Sequence, residues 1–157
     1  MATSDKDMRI DFKGYIRDVL SGDSLNNALA FADFLQANDM QPGGQHGAIE
    51  YQNQCLCYMH IVGSDQMPGP WTVWTDGVYS EEDPAVPMND QLKAIAWAHV
   101  NHCANCGGGC NPGTNKLILG RPFEGVCSAN MAFTDPDPEA LKCLEKLLLM
   151  RKLSFGN

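Results

Sequence analysis

The sequence predicts an α+β domain: a mainly antiparallel sheet of about four strands with about four helices. Three observations carry this. Apolar residues recur at i, i+3, i+4 spacing near both ends of the chain and once in the middle, as amphipathic helices require. Short runs rich in β-favouring residues, bounded by Gly, Pro and Asp, lie between those stripes. The resulting order is two helices, two strands, a helix, two strands and a helix. It lacks the strict strand–helix alternation that builds a parallel sheet.

Phe12, Tyr15, Ile16, Val19 and Leu20 form the first helical face, which Ser21-Gly22-Asp23 interrupts. Asp23 or Ser24 is expected to cap the second helix, whose stripe is Leu25, Ala28, Leu29, Ala32 and Leu35. Pro42-Gly43-Gly44 reads as a loop and Tyr51 as an early strand position. Residues 55–62, Cys-Leu-Cys-Tyr-Met-His-Ile-Val, are too short for a typical helix and suit a central strand. Met67-Pro68-Gly69-Pro70 turns, and Trp71 to Thr75 alternates as a second strand ending at Asp76-Gly77. Residues 80–88, with Glu81, Glu82, Asp83, Pro84 and Pro87, read as a solvated loop. The third helix starts at Asn89 or Asp90. It carries Leu92, Ile95, Ala96, His99 and Cys103 on one face and ends before Gly107-Gly108-Gly109. Lys116 to Leu119 and Val126 to Phe133 are expected as antiparallel partners around a turn at Gly120-Arg121-Pro122. Asp135-Pro136-Asp137-Pro138 is a helix start, with Asp at the cap and Pro in the first helical position, and Leu141, Leu144, Leu147 and Leu148 form the apolar face.

At 157 residues the chain fits one domain, 1–157, and needs no disulfides to fold. The net charge of −8 counts against a general nucleic-acid binder, which must neutralise phosphates, and against an anionic membrane surface. A polar start, Met1-Ala2-Thr3-Ser4, without an apolar stretch behind it, leads to an expected cytoplasmic location. Thiols there stay reduced, and seven cysteines cannot all pair within one chain, so a metal or a catalytic role is expected ahead of a disulfide framework.

The cysteines divide into two sets. Cys103, Cys106 and Cys110 form C-x2-C-x3-C, and Cys127 follows on a proposed strand, so the cluster spans 103–127. A C-x2-C pair lets one turn aim two thiolates at one point, and four thiolates satisfy tetrahedral Zn²⁺. The expected site is therefore a structural zinc on Cys103, Cys106, Cys110 and Cys127, with His99 and His102 as possible substitutes. An iron–sulfur cluster is the second choice and a redox pair at Cys103 and Cys106 the third. Cys55, Cys57 and Cys143 are expected in packing roles, with Cys55 and Cys57 on one strand face because they are two apart.

The segment Ala96-Trp97-Ala98-His99-Val100-Asn101-His102-Cys103-Ala104-Asn105-Cys106 opens a longer pattern. It continues with Cys110, Pro112-Gly113, Ile118-Leu119-Gly120, Phe123, Val126-Cys127 and Phe133-Thr134-Asp135-Pro136-Asp137. This pattern resembles a family of small uncharacterised bacterial proteins, mainly over residues 94–152, with Pro68-Gly69-Pro70-Trp71 as an earlier match. The resemblance implies no activity; it favours treating the four cysteines as a set.

The sequence holds no Gly-x-Ser-x-Gly, no His-Glu-x-x-His and no Gly-x-Gly-x-x-Gly after a strand. The stretch from Gly108 to Lys116 has the glycine spacing of a phosphate loop, but Thr114-Asn115 replaces its Lys-Ser/Thr and Pro112 removes a donor. His46 lies in a glycine-rich loop, and His60 lies on the cysteine-bearing strand. The expected function is thus a zinc-stapled module that binds an unknown small molecule or protein. A metal- or thiol-dependent enzyme is the alternative. Tyr58, Met59, Trp71 and Trp74, close together around one proposed hairpin, are the expected apolar pocket.

Overall fold

A computed structural model describes residues 12–43, 47–61, 69–77, 79–81, 83–103 and 113–155. Helices α1 (Phe12–Val19) and α2 (Gly22–Ala37) lead into strands β1 (Gln41–Pro42), β2 (Ala48–Tyr51), β3 (Gln54–Ile61) and β4 (Trp71–Thr75). Helix α3 (Asp90–Ala98), strands β5 (Val100–His102), β6 (Thr114–Ile118) and β7 (Arg121–Thr134), and helix α4 (Pro138–Phe155) complete the chain. All strand pairs are antiparallel, in the order β1-β2-β3-β4-β7-β5, with β6 also on β7. The α+β class is as expected, and the described residues hold four helices, as expected, and a sheet of seven strands rather than about four.

One of the additional strands, β2, forms a hairpin with the expected β3 that the sequence disguises. Tyr51 pairs with Gln54 across Gln52 (φ 50°) and Asn53 (φ 64°), a two-residue turn with both residues left-handed. That geometry matches the twist of the flanking strands, but it is usually announced by Asn-Gly or Gly-Gly. The β6–β7 hairpin uses the same device at Leu119 (φ 47°) and Gly120 (φ 83°). Its turn therefore precedes Arg121 and Pro122, which lie inside β7, and β7 begins well before Val126. Pro42, expected in a loop, lies in the short edge strand β1, a position proline tolerates.

The third helix ends earlier than its periodicity suggests. His99 is the C-cap of α3, and Val100–His102 is a strand. Val100, buried, pairs with Met131, and the Asn101 side chain donates to Ala129 O at 2.9 Å. Packing of a β-branched residue on β7 thus overrides the helical spacing, and His99 and Cys103 do not share a helix face. Asn89 caps α3 as expected, its Oδ1 accepting from Leu92 N at 2.8 Å. Asp137 does the same for α4, accepting from Ala140 N at 2.8 Å with Pro138 in the first helical position. For α2 the cap is Ser21, whose side chain makes no capping bond among the described residues. Ser24, one of the expected caps, instead donates to Asp135 Oδ1 at 2.7 Å, tying α2 to the approach of α4.

The core lies on one sheet face. Met59 and Ile61 of β3 stand opposite Val73 and Trp71 of β4, and Val73 stands opposite Phe133 of β7. All five are buried. Phe31 of α2 packs on Trp71 with ring centroids 5.9 Å apart. Leu141, Leu144, Leu147 and Leu148 of α4 join the same cluster.

Candidate metal centre

Strand β7 is the frame of the candidate site. Val126 pairs with His102 of β5 on one edge and with Thr114 of β6 on the other. One residue beyond the first pair, Cys103 N donates to Gly125 O at 2.7 Å. Cys103 therefore stands opposite Gly125, and Cys127 is two residues further along β7. Both cysteine side chains are partly exposed. The ladder then breaks, since the next pair is Val100 with Met131.

Gly113 closes on the same point from the other side. Its φ is +91°, and a Cβ there would stand 2.7 Å from the Gly125 carbonyl carbon and 2.8 Å from the oxygens of Gly125 and Val126. Only glycine fits without displacing backbone. Cys103 and Gly113, the described residues on either side of 104–112, thus both meet β7 at Gly125. Cys106 and Cys110 lie outside the described residues. Among the described residues no group of three or more His, Cys, Asp or Glu gathers in a metal-binding arrangement.

Of the two histidines named as substitute ligands, His99 packs away from Gly125 and His102 lies beside Cys103. His99 stacks on Phe133, with centroids 4.5 Å apart and planes 12° off parallel, and its Nδ1 lies 2.8 Å from Ile95 O. A carbonyl only accepts, so Nδ1 carries the proton. His99 meets β7 at Ala132, whose N donates to His99 O, well away from Gly125. It borders a cavity of about 360 Å³ with Asp135, Asp137 and Glu139. Those carboxylates already have partners in Ser24, Ala140 N and Lys142. His102 is exposed next to Cys103, with Nδ1 3.2 Å from Glu124 O and its ring 6.3 Å from Phe123.

The remaining cysteines contrast with Cys103 and Cys127. Burial pushes the Cys143 thiol up to about 12, and its Sγ donates to Leu92 O at 3.5 Å. Cys57 is fully buried, and desolvation raises it further still. Cys55 is half-buried, and burial raises it as well. The expectation that Cys55 and Cys57 share a face fails on a β-bulge. Ile49 pairs with Cys57 and its neighbour Glu50 with Cys55, so Leu56 is an extra residue and the two thiols fall on opposite sides.

The expected apolar pocket is also divided. Met59 and Trp71 are buried in the core. Tyr58 and Trp74 are cross-strand partners on the other face of the sheet, where His60 lies 6.1 Å from the Trp74 ring. His46 lies outside the described residues. Sequence reasoning missed Asn130, which is 3 % exposed and buried in β7; an isolated Asn between Ala and Met carries no signal for it.

No family model, no curated protein and no solved structure matches the chain. No helix among the described residues is long and apolar enough to cross a membrane.

Proposed function

We propose that this chain is a binding module whose C-terminal hairpin is stapled by one Zn²⁺ held by Cys103, Cys106, Cys110 and Cys127. The reading rests chiefly on one observation: Cys103 and Gly113, the two ends of the segment carrying Cys106 and Cys110, both close on Gly125, two residues from Cys127. Four thiolates form a closed tetrahedral set with no open position for substrate, so the metal's role is structural. Its binding free energy becomes folding free energy for β5, β6 and the segment between them. The partner is a small molecule or a protein. The charge of −8 and the fully thiolate ligand set both count against nucleic acid.

Cobalt substitution tests the ligand set. Co²⁺ in this site should show the ligand-field absorption of a tetrahedral thiolate complex. Cys103→Ser and Cys127→Ser should each weaken that spectrum, and Cys143→Ser should leave it intact. A Co²⁺ spectrum indifferent to Cys103 and Cys127 would refute the assignment. Brown protein would select an iron–sulfur cluster instead. Turnover lost on metal removal with the fold intact would select the enzyme reading.

A further inference from the structure

Strand β7 has a gap along one edge. Met131 pairs with Val100 of β5 and with Thr75 of β4, while Val126 pairs with His102 of β5 and with Thr114 of β6. Strands β4 and β6 therefore share the edge opposite β5, end to end. Residues 127–130 lie between them with no partner strand on that edge among the described residues. The chain after β4 crosses this gap and docks on the β6–β7 turn, where Leu119 N donates to Tyr79 O at 2.7 Å and Gly120 N to Ser80 O at 2.9 Å. A cavity of about 250 Å³ remains, walled by Tyr79 and Ser80 on one side and Asn115, Lys116 and Leu117 on the other, with Asn130 also lining it.

Asn130 is the reason to regard this cavity as a site. Its Nδ2 donates to Gly77 O at 2.6 Å. Because a carbonyl only accepts, that bond fixes which end of the amide is which. The other end, Oδ1, is buried and has no donor within hydrogen-bond reach among the described residues. A buried acceptor left unpaired is costly, and such groups in native proteins find a partner in protein, water or ligand. Lys116 supplies a positive charge on the wall of the same cavity, in a chain whose overall balance is acidic. At about 30 Å³ per water, the cavity accommodates about eight water-sized groups.

We infer that this cavity binds a small organic acid bearing a hydroxyl or amino donor, the donor satisfying Asn130 Oδ1 and the carboxylate meeting Lys116. The inference is independent of the metal, since no cavity residue belongs to the thiolate set. Glycolate carries both groups, acetate only the carboxylate and acetamide only the donor. In a ¹H–¹⁵N titration of the full chain, glycolate should shift the Asn130 side-chain amide and the backbone amides of Tyr79 and Ser80, with a Kd of about a millimolar. Acetate and acetamide should each bind about tenfold more weakly. Lys116→Gln, a substitution at a partly exposed position, should cost glycolate about tenfold while keeping the fold; Asn130→Ala, if it folds, should abolish binding. Equal affinity for the three probes, glycolate binding unaffected in Lys116→Gln, or no shift at Asn130 at saturating glycolate would overturn the inference. Ordered water would then be the partner of Oδ1.

Discussion

Gly113→Ala places one methyl group where the two ends of the cysteine segment converge. The added carbon would stand 2.7 Å from one backbone carbon and 2.8 Å from two backbone oxygens of β7. Backbone in a paired strand cannot rotate aside as a flexible side chain does. The φ of +91° adds strain of about 1–3 kcal/mol for a residue with a Cβ. Overpacking adds a further 1–3 kcal/mol or so, giving about 2–6 kcal/mol in all. Gly120→Ala is the control. Its φ is +83°, but among the described residues no atom lies within 4 Å of the added carbon, so it should cost only about 1–2 kcal/mol. Urea denaturation with and without zinc reads both stabilities, and competition with a chromophoric chelator reads the metal affinity. The account predicts that Gly113→Ala loses stability and zinc affinity together, whereas Gly120→Ala loses a little stability and no affinity. A Gly113→Ala chain with wild-type affinity would refute the argument that convergence on Gly125 assembles the site.

Three further outcomes test the fold and its titrating groups. Cys57, Cys143 and Tyr79 are held neutral by burial, with their pKa values raised on folding, so their contribution is complete below about pH 9 and is lost as pH rises toward 12; thermal melts should show stability falling by up to about 1.4 kcal/mol per pH unit for each group. Glu145, half-buried and raised by desolvation, opposes folding once it ionises, so Glu145→Gln should stabilise the chain above the ordinary carboxylate range by less than about 1 kcal/mol and change nothing well below it, as read by urea denaturation at two pH values. Asp137→Ala should cost about 1 kcal/mol because its carboxylate caps α4, while Ser21→Ala should stay within about 0.5 kcal/mol, both by chemical denaturation.

What was legible in the sequence follows from which interactions are local. Helix starts at Asn89 and Asp137 depend on bonds spanning three residues, and each falls within the short segment that the sequence marks, Asn89-Asp90 and Asp135 to Pro138. The four leucines named for α4 are buried, and of the α2 stripe Ala28, Ala32 and Leu35 are buried while Leu25 and Leu29 are partly so. The errors arise where distant packing decides. Strand β5 replaces a helical turn because Val100 and Asn101 find partners on β7, about thirty residues on, a contact no local pattern encodes. The β2–β3 hairpin turns on Gln52-Asn53, which carries none of the usual glycine signal. The bulge at Leu56 undoes the two-residue periodicity that would have put Cys55 beside Cys57. For the candidate site, spacing alone grouped the four cysteines, and the sheet places Cys103 opposite Gly125, two residues before Cys127 in the chain. The clamp at Gly113 and the buried amide of Asn130 depend on β7 meeting three other strands, and neither could be read from the chain.

The central claim is one metal on four thiolates, and metal content with thiol accessibility measures it most directly. Elemental analysis of the full chain, purified without added metal, should give about one zinc per chain, as a single four-coordinate site requires. The native protein should leave Cys103, Cys106, Cys110 and Cys127 unreactive toward a thiol reagent until a chelator removes the zinc. Metal-free protein in which those four cysteines react at once, with no change on adding zinc, would contradict the account.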